Sequence, residues 1–176
     1  PSTALVQILK ELKGIKFDIG TRDFQPTNLE ITKINIDNSA DNVIPGLAYA
    51  SFNIRFNNKH SSNTLKSKIN KIVKKICYKN KSKYKIEYNV SGEAFLTSPN
   101  ETTYMIQNTI KKITKIKPRL STTGGTSDAR FIRKISPCLE FGLVGKTMHK
   151  VDEVVALKDL KKLTLIYSNI LENYFK

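Results

Sequence analysis

Residues 29–56, LEITKINIDNSADNVIPGLAYASFNIRF, contain two runs in which apolar and polar side chains alternate. The runs are 29–36, where the alternation is imperfect, and 43–56, and a short polar turn joins them. A period of two places successive side chains on opposite faces of a strand, so each run predicts a β-strand. Pro45 and Gly46 near the start of the second run predict an edge or a bulge at that point.

Helical patterns flank this pair of strands. Residues 2–12 and 65–76 carry apolar side chains at helical spacing, and Ser61 or Ser62 can cap the second helix. Residues 84–90 alternate again and predict a third strand. The order α-β-β-α-β is the ferredoxin-like β-α-β-β-α-β plan without its first strand. We therefore expect a sheet that lacks one set of ladder partners, in a chain cut from something longer.

A Gly-, Pro- and Ser-containing hinge at residues 91–100 predicts a domain boundary. We expect one domain over residues 1–92 and another over residues 93–176. The second half predicts the order α-β-α-β-α, which is part of an α/β layered domain. Its predicted elements are helix 101–116, an extended piece at 118–121, helix 128–134, a buried strand at 138–141 and helix 157–174.

The net charge of +15 raises the question of a nucleic-acid partner. Residues 59–85 contain ten lysines and no acidic residue. Because much of this run lies on one helix with an apolar opposite face, and no aromatic side chains interleave with the lysines, we interpret it as a solvated basic face. We expect no nucleic-acid partner and no membrane span. Cys77 and Cys138 have no metal-type spacing and indicate a reducing, cytoplasmic compartment.

Residues 121–153 hold the mixture of side chains that is typical of a site. Gly124 and Gly125 allow a close backbone approach, and the hydroxyls of Thr126 and Ser127 follow them. His149 lies after a second glycine-containing loop and is either a metal ligand or a surface residue. The other histidine of the chain falls in a polar loop, where we expect it to be exposed.

Arg55 and Asn42 remain open between two interpretations. Arg55 sits in an otherwise apolar strand, where it is either an ordinary outward residue or a clamp for a carboxylate, because guanidinium makes bidentate bonds. Asn42 is either a turn former or a hydrogen-bonding partner of a substrate. Spacing alone does not decide either case.

Three motifs carry a resemblance to a known family. They are NVIPG at 42–46 with Arg55 thirteen residues after its first residue, TGGTSDARFI at 123–132, and EFGLVGKTMHKVDE at 140–153. Together they resemble the bacterial succinyl-diaminopimelate desuccinylases, which belong to the dinuclear zinc aminoacylase and carboxypeptidase-G-like hydrolases. The resemblance implies a dimerisation (lid) domain in residues 1–92, and in residues 93–176 the C-terminal part of the catalytic domain. It also implies that the N-terminal half of that domain lies elsewhere.

The resemblance also implies roles for individual residues. By position, His149 matches a zinc ligand, and Gly125 and Thr126 match a loop that contacts the substrate. Arg55 and Asn42 match lid residues that bind the carboxylate end of the substrate, with Asn42 reaching the site of the partner subunit. The family would supply its general base from the other half, so no catalytic residue is expected in this chain.

Two positions depart from the family pattern. Gly145 matches a substrate-binding position at which these desuccinylases usually carry Asn, and Asp152 replaces a second Asn. The first departure puts the acyl specificity in doubt.

The implied enzyme is a cytoplasmic homodimer with two zinc ions per active site, or cobalt in their place. It would hydrolyse N-succinyl-diaminopimelate to succinate and diaminopimelate for lysine and cell-wall biosynthesis, and this chain alone would be inactive. The alternatives are a related deacylase such as acetylornithine deacetylase, a non-catalytic dimerising remnant, or a basic polyanion-binding module.

Overall fold

The structure is a computed structural model, and it describes residues 1–38, 40–124 and 127–176. The chain divides into two compact units, Pro1–Phe95 and Leu96–Lys176. The sequence had placed the boundary at residue 92, inside the same hinge. Among the described residues, no helix is long and apolar enough to cross a membrane.

The first unit contains two helices and two strands. Its elements are α1 (Ser2–Lys13), β1 (Asn28–Asn35), β2 (Tyr49–Arg55) and α2 (Ser62–Lys79). Both helices were predicted from apolar spacing, and both predictions are confirmed. The α2 helix begins after Ser61, whose side chain accepts a hydrogen bond from the backbone N–H of Thr64 in a capping box.

The strands β1 and β2 form an antiparallel pair in which Asn28 lies opposite Arg55 and Asn35 lies opposite Tyr49. The register shifts between Ile31 and Lys33, which leaves one extra residue on β1 as a β-bulge. The bulge explains the imperfect alternation of this run, because apolar residues before and after it return to the same face.

The prediction that the second strand starts at residue 43 is wrong, and so is the bulge at Pro45 and Gly46. The strand begins at Tyr49. Proline has no N–H to donate to a ladder, so the residues around it stay in the connecting loop.

The core of the first unit lies between the sheet and the two helices. Its buried members come from α1, β1 and α2: Leu12, Leu29, Ile69, Val73 and Cys77. Phe52 and Ile54 on β2 pack against this cluster. Helices on one face of an antiparallel sheet are the α+β arrangement that the sequence predicted for this half, and that class is confirmed.

The predicted third strand at residues 84–90 does not form a ladder. These residues are extended without regular structure, although Ile86 packs against the core. In the split plan, the two strands that flank a helix do not pair directly with each other. The segment therefore has no ladder partner among the described strands. The strand prediction is wrong, and of the alternating apolar residues only Ile86 packs inward.

In the described residues of the second unit, three helices are joined by irregular segments. They are α3 (Glu101–Thr114), α4 (Ala129–Ile132) and α5 (Leu157–Tyr174). The α3 helix begins at a capping box formed by Asn100 and Thr103. It packs against α5, and the side-chain amide of Asn173 donates to the hydroxyl of Thr109 at 3.2 Å.

The strands predicted at 118–121 and 138–141 are absent, so both predictions are wrong for the described chain. A buried strand needs neighbours that accept and donate its backbone hydrogen bonds. The described part of this unit contains no other strand to supply them. Phe141 is held by α5 instead, where the Tyr167 hydroxyl donates to its carbonyl oxygen and the two rings meet edge to face.

Candidate functional site

Arg55 is the last residue of β2 and lies opposite Asn28 on β1. Its side chain is exposed, in line with the exposed face of the alternating strand. Within the described residues, no group is hydrogen-bonded to its guanidinium. The side chain is therefore free to bind a carboxylate, as the clamp interpretation requires.

Asn42 lies in the loop that joins β1 to β2. The backbone N–H of Val43 donates to the carbonyl of Ala40 at 3.3 Å, which closes a turn around Asn42. The side-chain amide of Asn38 reinforces this turn by donating to Ala40 at 2.8 Å and to Val43 at 2.7 Å. Asn42 itself is exposed at the turn. The geometry is that of a turn former with an outward amide, so the two interpretations of Asn42 are compatible.

The hairpin does not bring Asn42 and Arg55 together. Asn42 belongs to the loop beside Tyr49, and Arg55 lies at the opposite end of β2. A strand rises roughly 3.3 Å per residue, so the six steps from Tyr49 to Arg55 separate the two ends by about 20 Å. The connecting loop and Arg55 therefore adjoin opposite ends of β2.

A buried polar cluster lies beside the Arg55 end of the hairpin. Its centre is the carboxylate of Asp18, whose side chain is only 5% exposed. The carboxylate accepts hydrogen bonds from the backbone N–H of Gly20 at 2.6 Å and of Thr27 at 3.2 Å. It also accepts from the side-chain amide of Asn57 at 2.8 Å, and it lies 3.0 Å from Nε2 of His60.

Two opposing effects act on the pKa of Asp18. Burial raises the pKa, because it penalises the charged form, whereas the hydrogen bonds from Thr27, Gly20 and Asn57 stabilise that form. The hydrogen bonds together outweigh burial and hold the pKa of Asp18 well below its usual range.

The expectation that His60 is exposed is wrong, because Asp18 and the ring of Phe17 pack against it.

His149 lies in a turn-rich loop of the second unit. Its backbone is left-handed, with φ of 63°, and Asp152 in the same loop has φ of 59°. The Thr147 hydroxyl closes the loop: it accepts from the N–H of Val154 and donates to the carbonyl of Val154, both at 2.9 Å. The backbone N–H of His149 donates to the Glu153 carboxylate at 3.3 Å.

The imidazole of His149 is exposed, and none of the described residues is hydrogen-bonded to its ring nitrogens. A neutral imidazole with a free nitrogen fits a zinc ligand. The described residues contain no group of three or more His, Cys, Asp and Glu side chains that could hold a metal ion. Among the described residues, His149 therefore does not belong to a group that could hold a metal ion by itself.

Gly145 stands at the start of the His149 loop. A Cβ added at this position would lie 3.2 Å from the Cβ of Met148, which is tighter than ordinary packing. The turn is thus fitted to glycine, and a larger residue would have to displace Met148. Gly125 and Thr126, the other predicted substrate contacts, lie outside the described residues.

The family model of the peptidase dimerisation domain matches residues 1–81. Residues 1–81 are similar to a peptidase dimerisation domain. The prediction of a dimerisation domain in the first half is therefore confirmed, and the hairpin and the Asp18 cluster both belong to it.

Relatives extend the similarity over the remaining residues. The chain is 77% identical over 99% of its length to the succinyl-diaminopimelate desuccinylase of Pelagibacter ubique (strain HTCC1062), and it covers 46% of that protein. It is 46% identical over 97% of its length to the enzyme of the same name from Rickettsia bellii (strain RML369-C), of which it covers 44%. The predicted resemblance to the desuccinylase family is thereby confirmed. The chain spans about half the length of the curated relatives that it matches.

Proposed function

We propose that the chain is the dimerisation domain and the C-terminal catalytic segment of an amide hydrolase that cleaves N-succinyl-diaminopimelate to succinate and diaminopimelate. The observation that carries the proposal is the 77% identity to a protein of that name over 99% of the chain. In this function the enzyme serves lysine and cell-wall synthesis in the cytoplasm. The free Cys77 and Cys138 fit a reducing compartment.

The proposed site residues come from the two ends of the hairpin and from the second segment of the chain. Arg55 binds the carboxylate end of the substrate, and Gly125, Thr126 and Gly145 line the substrate from the second segment. Asn42 serves the active site of the partner subunit in a homodimer formed through the dimerisation domain. The connection of the Asn42 loop to one end of β2 and the location of Arg55 at the other end, about 20 Å away along the strand, support this division.

His149 supplies one ligand to a zinc site, and its exposed imidazole fits that role. Two bound zinc ions in this family would polarise the amide carbonyl and lower the pKa of a bound water. The hydrogen bonds of Thr147 to Val154 fix the backbone of the His149 loop without a bound metal. The remaining ligands and the general base come from the rest of the enzyme, so the chain alone is inactive.

The test combines the chain, as a separate polypeptide, with the portion of the Pelagibacter ubique relative that it does not match. Mixed in the presence of Zn²⁺, the two polypeptides should release succinate from N-succinyl-diaminopimelate, and neither should do so alone. His149→Ala should abolish the release, whereas the exposed neighbour Lys150→Ala should leave it within about twofold. A mixture whose turnover survives His149→Ala would overturn the metal assignment, and turnover by the chain alone would overturn the division of the site.

Gly145 favours a second candidate, a deacylase for a different acyl group such as acetylornithine deacetylase. The glycine replaces an amide side chain of the family pattern and removes a hydrogen bond to the substrate, and a Cβ at this position would lie only 3.2 Å from the Cβ of Met148. Faster hydrolysis of N-acetylornithine than of the succinyl substrate, in the same mixture, would support this candidate.

A further inference from the structure

We propose that Asp18 is a positioning residue for Arg55. The hydrogen bonds that its carboxylate accepts fix the end of β2 from which the guanidinium extends into solvent. The functional importance of this role rests on the proposed function, in which Arg55 binds a substrate carboxylate. The geometry of the role is independent of that function.

The cluster continues the ladder beyond the last strand pair. Asn28 and Arg55 are opposite each other, and Thr27 and Asn57 lie just outside them. The backbone N–H of Asn57 donates to the Thr27 hydroxyl at 3.3 Å. A hydrogen bond to a side chain thus joins the ends of the two strands where the backbone ladder stops.

Asn57 also marks a break in the alternation of β2. Asn53 and Arg55 are exposed, so a continuing strand would expose Asn57 as well. Asn57 is instead 2% exposed, which means that the chain turns inward directly after Arg55 and Phe56. Its amide donates to Asp18 at 2.8 Å and to the Gln25 carbonyl at 3.0 Å.

The opposite end of the Asn57 side chain is also satisfied. Its carbonyl oxygen accepts from the backbone N–H of Lys59 at 2.9 Å, and its backbone carbonyl accepts from the N–H of His60 at 3.2 Å. The turn after Arg55 is therefore held by one fully bonded buried amide. Asp18 is the charged partner of that amide, and charge-assisted hydrogen bonds are the stronger kind.

A carboxylate suits position 18 because the N–H groups of Gly20, Thr27 and Asn57 donate to it and a ring nitrogen of His60 lies against it. An asparagine there would place its own NH₂ against one of these donors and leave another unsatisfied. At 5% exposure the carboxylate is not available to bind a substrate itself, so its effect on binding runs through the turn.

The experiment uses the 176-residue chain and measures the backbone order around Arg55 and the binding of succinate to its guanidinium. In Asp18→Asn, hydrogen exchange of the protected amides in residues 53–57 should accelerate at least about tenfold more than exchange of the amides in residues 49–51, which reports the loss of global stability. Asp37→Asn is the matched control, because Asp37 is exposed, and it should change neither set. The second readout is the Arg55 Nε–H resonance during titration with succinate, whose apparent Kd should weaken about fivefold in Asp18→Asn.

Thr27→Val provides a milder variant in case Asp18→Asn does not fold. It removes the hydroxyl that accepts the Asn57 N–H and that also bonds the Asp18 carboxylate. It should accelerate exchange of the Asn57 amide more than exchange of the amides in residues 49–51. Uniform acceleration along residues 49–57 in either variant would overturn the proposal, because it would indicate a loss of global stability alone. Failure of succinate to bind the wild-type chain would count against the proposed substrate role of Arg55, and the exchange result would still decide the role of Asp18.

Discussion

Replacing Asp18 by Asn should destabilise the first unit in a way that depends on pH. At pH 5 the carboxylate is charged, and its loss should cost roughly 3 kcal/mol, because charged hydrogen bonds are broken and buried donors are left without acceptors. The folded pKa of Asp18 lies below the unfolded value. The stabilisation by its charge is therefore complete above the unfolded pKa of about 3.9 and is lost as the pH falls toward the folded pKa.

The size of this loss follows from linkage. Because the folded state lowers the pKa of Asp18, lowering the pH from 5 to 3, through the unfolded pKa of about 3.9, should remove about 1 kcal/mol from the unfolding free energy of the wild type and none of this from that of the variant. The difference in unfolding free energy between the two proteins should narrow by that amount.

Urea titrations at pH 5, 4 and 3, followed by the methyl resonances of Ile69 and Val73, report the unfolding of this unit alone. Asp37→Asn, which removes an exposed carboxylate, should match the wild type at every pH. A difference between wild type and Asp18→Asn that stays constant from pH 5 to pH 3 would refute the inference that native hydrogen bonds lower the pKa of Asp18.

Three further predictions concern packing, capping and the His149 loop. Ile69→Ala should lower the unfolding free energy of the first unit by roughly 3 kcal/mol, because Ile69 is 2% exposed in the core, whereas Ile34→Ala on the exposed part of β1 should change it by less than about 1 kcal/mol in urea titration. Ser61→Ala should cost about 1 kcal/mol in the same assay, because the capping bond to α2 is lost. Thr147→Val should raise the backbone mobility around His149 in ¹⁵N relaxation and Thr147→Ser should restore it, since only the serine keeps both bonds to Val154.

The helices of both units could be predicted because the information is local. The α2 helix is specified by apolar side chains at helical spacing and by Ser61, which lies directly before it. The dimerisation domain could be predicted from the order of these local patterns together with the motifs at Asn42 and Arg55. Such patterns do not depend on what the rest of the chain contributes.

The Asp18 cluster could not be predicted in the same way. Its members come from a loop, the edge of a strand and the start of a helix, and the first and last are 42 residues apart. Nothing periodic connects Asp18 with Asn57 or His60. The only local signal is that Asn57 follows an alternating strand in a polar run, and that signal is shared by many ordinary turns.

The wrong strand predictions have one physical cause. Alternation at residues 84–90 and the apolar run at residues 138–141 indicate which side chains avoid water, but a strand also needs neighbours for its backbone groups. The second unit shows the same deficit in its side chains: Val151 is 92% exposed and Ile135 is 88% exposed. These side chains are of the apolar type usually found in a protein interior, but they are exposed in the described chain. That combination is what the proposed function requires of residues 96–176, which would form one wall of an active site and not a closed domain.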